Sequence, residues 1–163
     1  MSVILRTLSE NEVQTLLDFS EASSGNTAII ELLPVVVLQA SLRSRDNGTP
    51  WFWCAPRLFI DEASGKPVGS GSFLETDSKG KFEFGYGTGE KYRGQGIASQ
   101  GAALMLALAH KQDPKVIIIA RTSISNPASA RVLIKNGFER YGQTIDPEEG
   151  VLYLWRQKPP LET

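Results

Sequence analysis

The residues best placed to do chemistry form one run, Tyr86-Gly87-Thr88-Gly89-Glu90-Lys91-Tyr92-Arg93-Gly94-Gln95-Gly96-Ile97-Ala98-Ser99. A strand that ends in a glycine-bearing loop and opens straight into a helix gathers backbone N–H groups at the positive end of the helix dipole, and such a spot holds an anion. Gly94 and Gly96 let the main chain approach a bulky pyrophosphate, and Ala98 keeps the first helical turn uncrowded. The same spacing also suits a plain tight strand-to-helix connection. Two common phosphate motifs fit poorly. A dinucleotide fingerprint needs Gly-x-Gly-x-x-Gly, yet Gly85-x-Gly87 meets Glu90 at the third glycine position and Gly94-x-Gly96 meets Ser99. The Gly-Lys-Ser/Thr ending of a Walker loop is absent.

Other side chains offer both a chemical and a structural reading. Glu83 lies on the strand leading to the loop, where a carboxylate can take a proton from an ammonium group through a water, or can be a solvated edge charge. Tyr86 alternates onto the same face as Phe82 and Phe84, so it either packs in the core or touches a substrate. Asn126 stands where a helix N-cap belongs, with Pro127 at the first helical position, and capping through its carboxamide oxygen leaves the NH2 donors for a ligand. His110, in the last turn of a helix, reads as structural, and Trp51, Phe52 and Trp53 read as strand and core residues. The acidic stretch Asp146, Glu148, Glu149 reads as a solvated loop, with attraction of a cationic acceptor as the sharper alternative.

These residues need a frame. Val3 to Thr7 predicts a strand, and Ser9-Glu10-Asn11-Glu12 is a capping box opening a helix with Val13, Leu16 and Leu17 on one face. After a polar break from Ser23 to Asn26, Pro34 starts a second helix through Val35, Leu38 and Leu42 toward Asn47-Gly48. Trp51 to Ile60, Pro67 to Glu75 and Lys81 to Thr88 predict an antiparallel meander, turned at residues 61–66 and 77–80. A helix from about Gly96 to Gln112 follows; it carries no charge from Gly94 to Ala109, which predicts a body sandwiched against the sheet. Val116 to Ala120 then predicts a strand buried on both faces, completing a parallel βαβ unit. A helix from Asn126 to Asn136, stopped by Gly137, precedes two closing strands, Phe138 to Gly142 and Val151 to Arg156.

Composition bounds the partners. A chain of 163 residues, 41% hydrophobic and 21% charged, fits one ordinary domain spanning 1–163. A net charge of −1 with dispersed Lys and Arg argues against nucleic acid. A lone cysteine, Cys54, and a lone histidine, His110, leave no disulfide framework or metal-ligand cluster, so no metal is expected. With no signal peptide and no uncharged stretch long enough to span a bilayer, a cytoplasmic protein free of membranes is expected.

Arg93-x-x-Gly96-x-Ala98 matches the Arg/Gln-x-x-Gly-x-Gly/Ala signature of the GNAT acetyltransferase superfamily. Asn126-Pro127-Ala128-Ser129-Ala130-Arg131-Val132-Leu133-Ile134-Lys135-Asn136-Gly137-Phe138 resembles the Asn-x-x-Ser-x-x-x-x-x-Lys-x-Gly-Phe segment of its ribosomal-protein-alanine N-acetyltransferase branch. The resemblance runs from Trp51 onward. It implies an α/β (α+β) fold, a mixed and mostly antiparallel sheet with a central parallel βαβ unit and helices on both faces, splayed open near residues 81–88. It implies acetyl-CoA as co-substrate and an amine acceptor, either a protein N-terminus or a small amine, attacked directly; a homodimer is compatible with it. Carried over by position, Gly85, Tyr86, Gly87 and Thr88 would bind pantetheine, and Arg93, Gly94, Gln95, Gly96, Ile97, Ala98 and Ser99 would bind the pyrophosphate. Asn126 would touch the coenzyme arm and Ser129 the thioester sulfur. The catalytic candidates are then Glu83, Ser129 and Tyr86. Many members carry a tyrosine acid where this chain has Leu133, so a tyrosine at that position is excluded. A coenzyme-A-binding regulator without catalysis and a dinucleotide-dependent reductase are the rival readings.

Overall fold

A computed structural model describes residues 1–21 and 31–157, and the polar break expected from Ser23 to Asn26 lies outside them. Seven strands form one sheet: β1 Val3–Thr7, β2 Arg57–Asp61, β3 Pro67–Glu75, β4 Lys81–Thr88, β5 Ile117–Ser123, β6 Phe138–Asp146 and β7 Gly150–Gln157. Their order is β1-β2-β3-β4-β5-β7-β6, and every neighbouring pair is antiparallel except β4 and β5. The described helices are α1 Glu10–Glu21, α2 Val35–Asp46, α3 Trp51–Cys54, α4 Ile97–Gln112 and α5 Pro127–Lys135, with a 3-10 turn at Glu90–Tyr92. The parallel pair sits mid-sheet because α4 carries the chain across, as a parallel connection requires.

Local signals set the helix ends. The Ser9 and Glu12 side chains cap each other's backbone, Glu12 N–H donating to Ser9 Oγ at 3.1 Å and Ser9 N–H to Glu12 Oε1 at 3.2 Å. Asn126 accepts from the Ser129 N–H at 3.2 Å and caps α5, and Gly137, at φ +84°, ends that segment in the left-handed conformation.

Three expectations need correction. Trp51 to Cys54 is one helical turn, not the start of a strand, and β2 begins only at Arg57. The buried Arg57 guanidinium donates to the Phe52 carbonyl at 2.9 Å and the Ala55 carbonyl at 3.4 Å, satisfying acceptors that the end of a short helix exposes. With no carboxylate beside it among the described residues, burial lowers the Arg57 pKa to about 10. Second, β5 is covered on one face only: Ile118, Ala120 and Thr122 are buried, whereas Ile117 is 55% exposed. Helix α2 packs on β3, and among the described residues α5 is the one helix packing substantially on β5, so an all-apolar run did not mean two covered faces. Third, α4 packs its body against the sheet as expected but along one side only: Gly101, Ala102, Met105, Leu106 and Ala109 are buried, while Ala103, Leu104 and Ala107 face outward. The closing strands are also longer than expected, since a bulge between Arg140 and Gly142 lets β6 continue to Asp146.

Two cores flank the sheet. Leu58 and Ile60 of β2 join Val13, Leu17, Leu33 and Leu38 on one side; Phe59, Phe84, Ile97, Met105 and Leu133 meet on the other. Phe59 is enclosed by glycines, because a Cβ on Gly69, Gly71 or Gly101 would lie 2.9, 3.1 or 2.3 Å from its ring. That contact seats α4 directly against the sheet.

Candidate active site

The ladder between β4 and β5 has three pairs and stops at Glu83 opposite Ile119. Beyond it β4 continues to Thr88 paired only with β3, and β5 continues to Ser123 paired only with β7, so the sheet opens into a gap with an unpaired strand edge on each side. The chain leaves β4 through the 3-10 turn, and Gly94 and Gly96 take φ +79° and +78° before α4 begins. Gly96 occupies the N-cap without a side-chain bond, which leaves the first-turn N–H groups of α4 open toward the gap. Both glycines therefore serve the backbone conformation, beyond the close approach argued from the sequence.

A cleft of about 640 Å3 lies over this cradle. Of the residues singled out above, Tyr86, Gly87, Thr88, Arg93, Gly94, Gly96, Ile97, Ala98, Ser99, Asn126 and Ser129 line it together. Gln95 does not, and Gly85 lines instead a smaller cleft of about 230 Å3 on the other side of β4, with Leu32, Pro34 and Val37 opposite. The two clefts share Tyr86, Gly87 and Thr88, so they meet at the unpaired stretch of β4. Tyr92, Ala128 and Val132, which the sequence motifs contain but to which sequence reasoning assigns no role, also line the larger cleft. Val132 was within reach, since it lies one helical turn after Ser129. A third hollow of about 630 Å3, around Lys81, Ile117 and Arg156, lies at the other end of β5 and holds none of the cradle residues.

Two contacts hold the cradle that no local pattern announces. The Asn136 carboxamide donates to the Ser99 carbonyl at 3.4 Å, to Ser99 Oγ at 3.3 Å and to the Val132 carbonyl at 2.9 Å, tying α5 to the first turn of α4. Gln100 accepts from the Val3 N–H at 3.2 Å, tying that turn to β1.

Tyr86 takes both roles left open for it: its ring stacks on Phe84 at 5.0 Å, and its hydroxyl reaches Ser129 Oγ at 2.7 Å and the Ser129 carbonyl at 3.1 Å. Burial raises the Tyr86 pKa, opposed by the Ser129 hydrogen bond, so the phenol stays protonated at neutral pH. Leu133 is fully buried in the core, so this wall of the cleft is formed by Ser129 and Val132. Glu83 faces away from Phe82 and Phe84 and lines neither cleft; both its carboxylate oxygens bind Arg121, Oε2 at 3.2 Å from Nη2. That ion pair raises the Arg121 pKa. His110 bonds Gln157 at 2.6 Å, far from the cradle, Trp53 stacks on Phe82 at 4.3 Å, and Trp51 donates to the Leu8 carbonyl at 3.0 Å. Asp146 accepts the Glu148 and Glu149 N–H groups at 2.8 and 2.9 Å, which lowers its pKa and makes it the organiser of its own turn. Among the described residues no His, Cys, Asp or Glu group is arranged to hold a metal ion, and no helix is long and apolar enough to cross a membrane.

The acetyltransferase (GNAT) domain model matches residues 3–139. No curated protein sequence matches. Among solved structures, a ribosomal-protein-S5-alanine acetyltransferase from Vibrio fischeri is similar at TM-score 0.68 and 15% identity, over 98% of this chain and 94% of that one. The aminoglycoside acetyltransferase AAC(6')-Ib, solved with acetyl-CoA and an aminoglycoside, is similar at 0.62 and 21%, over 96% and 93%. A chimeric spermidine N-acetyltransferase from Vibrio cholerae gives 0.66 and 12%, over 96% and 95%.

Proposed function

The chain belongs to the GNAT acetyltransferase family, and on that premise we propose that it transfers acetyl from acetyl-CoA to a primary amine by direct attack. The observation that carries this reading is the pair of clefts meeting at Tyr86, Gly87 and Thr88. One is floored by the open end of α4 and suits a pyrophosphate with its pantetheine arm; the other, on the opposite side of β4, suits an acceptor. Acetyl-CoA supplies the activated acyl group, and the chain's own residues supply placement. The cradle from Arg93 to Ser99 fixes the phosphate end, and the Asn126 NH2, free because its oxygen caps α5, is available to the arm. Unpaired N–H groups of β4 face the gap where a thioester carbonyl gathers negative charge. Ser129 donates a hydrogen bond to the leaving sulfur.

The acceptor must attack as a neutral amine, and its proton leaves to water in the open cleft. Glu83 sits on the Gly85 face of β4 outside both clefts, with Arg121 on both its oxygens, so its part in carrying that proton away runs through solvent beyond the cleft and not through contact with the amine. The acceptor is a protein N-terminus or a small amine; structural neighbours are named for an alanine of a ribosomal protein and for spermidine. Thiol release from acetyl-CoA against a panel of peptides, polyamines and aminoglycosides tests the reading. Turnover with one acceptor class is expected. Coenzyme A binding without turnover across the panel would leave a regulatory coenzyme-binding module instead, and tight binding of NAD or NADP would favour a reductase.

A further inference from the structure

When the C–S bond breaks, its electron pair stays on sulfur and the thiolate departs; nothing on the α5 wall other than Ser129 offers that sulfur a hydroxyl, because Leu133 is apolar and buried. We propose that Tyr86, reaching across from β4, positions the Ser129 hydroxyl toward the departing sulfur, so that one tyrosine on the strand wall serves the step that Leu133 cannot serve from the helix wall. This inference rests on the acetyl-transfer reading above.

The geometry is specific. The Tyr86 hydroxyl lies within hydrogen-bond distance of two acceptors on the same residue, the Ser129 carbonyl and Ser129 Oγ. Each hydroxyl has one proton to give. With Tyr86 donating to Ser129, the Ser129 proton is free for the cleft. Ring stacking on Phe84 holds the phenol at this reach, and the Asn126 cap fixes the backbone of Ser129. Tyr86 gives a hydrogen bond and keeps its proton. A thiol titrates near ~8.5 and a phenol near ~10, so handing the proton to a thiolate would be uphill by more than about one unit even before burial raises the phenol further. The proton that finally neutralises the thiolate comes from solvent, balanced by the one the amine releases.

The test is Tyr86→Phe, which keeps the ring and removes the hydroxyl. With acetyl-CoA, kcat is expected to fall about 10-fold, the low end for a hydrogen bond to a charged group. KM for acetyl-CoA should change less than about two-fold, because only leaving-group departure is affected. Ser129→Ala should lose at least as much, and the double variant should be no slower than Ser129→Ala alone, as expected when one residue acts through the other. An aryl thioester donor, whose thiolate leaves unaided, should be used equally by parent and Tyr86→Phe. An unchanged kcat, losses that multiply in the double variant, or an equal loss with the aryl donor overturns the inference, provided circular dichroism shows all variants folded. If the parent itself acetylates no amine, the transfer reading fails and takes this inference with it.

Discussion

Replacing Gly101 by alanine tests how closely the cradle depends on packing. In an ordinary helix interior the change stabilises by about 1 kcal/mol, since glycine gives up more backbone freedom than alanine. Here the new Cβ would stand 2.3, 2.4 and 2.5 Å from three ring atoms of Phe59. Carbon atoms pack at roughly 3.5–4.0 Å, so ring or helix must yield by more than about 1 Å. The ring cannot retreat, because a Cβ on Gly69 or Gly71 would already lie 2.9 or 3.1 Å from it, so Phe59 rests almost on the β3 backbone. Forced repacking costs about 1–3 kcal/mol, with the upper end apt where both sides are rigid, so after the helix gain of about 1 kcal/mol Gly101→Ala should be net destabilising by about 2 kcal/mol. At about 2–4 °C per kcal/mol for a chain of this size, thermal unfolding by circular dichroism should shift down by roughly 4–8 °C. Because α4 must lift to relieve the clash, coenzyme A affinity by calorimetry should fall too. Adding Phe59→Leu should recover part of both losses, a coupling that only contacting residues show. A Gly101→Ala protein as stable as the parent, or more so, refutes the seating of α4 on Phe59.

Gly96→Ala isolates backbone conformation from crowding, since at φ +78° the nearest atom to the new Cβ is Gln100 Nε2 at 4.0 Å. Left-handed strain of about 1–2 kcal/mol should appear as lower stability and weaker coenzyme A binding in calorimetry, with Gly96→Asn milder, and equal behaviour of parent and both variants would discard the cradle geometry. Cys54 is buried, and desolvation lifts its thiol from 9.0 to about 11, so a thiol reagent at pH 8 should label the protein only after unfolding. The sign for stability follows: the folded state favours the neutral thiol, so this contribution is present below pH 9 and is lost as pH rises toward 11, visible as a falling urea midpoint.

The parts of this protein legible in its sequence are those fixed within a few residues. The Ser9–Glu12 box, the Asn126 cap before Pro127, the stop at Gly137 and the turn-to-helix passage through Gly94 and Gly96 each depend on backbone groups three or four positions away, so residue type and spacing determine them. The same locality let the cradle be read as a candidate anion site and let its spacing point to a family. Reading failed where a distant residue decides. Trp51 to Cys54 has strand-prone composition, yet Arg57 takes up the carbonyls of a helical turn and Trp53 finds Phe82 29 residues on.

Four isoleucine and alanine residues in a row, Ile117 to Ala120, state hydrophobicity without stating how many faces a helix covers, and that number depends on the order of the strands. Glu83 is a free carboxylate in the sequence and an ion-paired one in the fold, because the parallel register of β4 and β5 brings Arg121 beside it. Tyr86 and Ser129 are 43 residues apart, and their hydrogen bond exists only because β5 leaves β4 at Glu83 and lets α5 close over the gap. Sequence by itself thus determined the loop that can hold an anion, since its N–H groups belong to adjacent residues. Tertiary structure alone decided which side chains face one another across the cleft, since that depends on where two strands part.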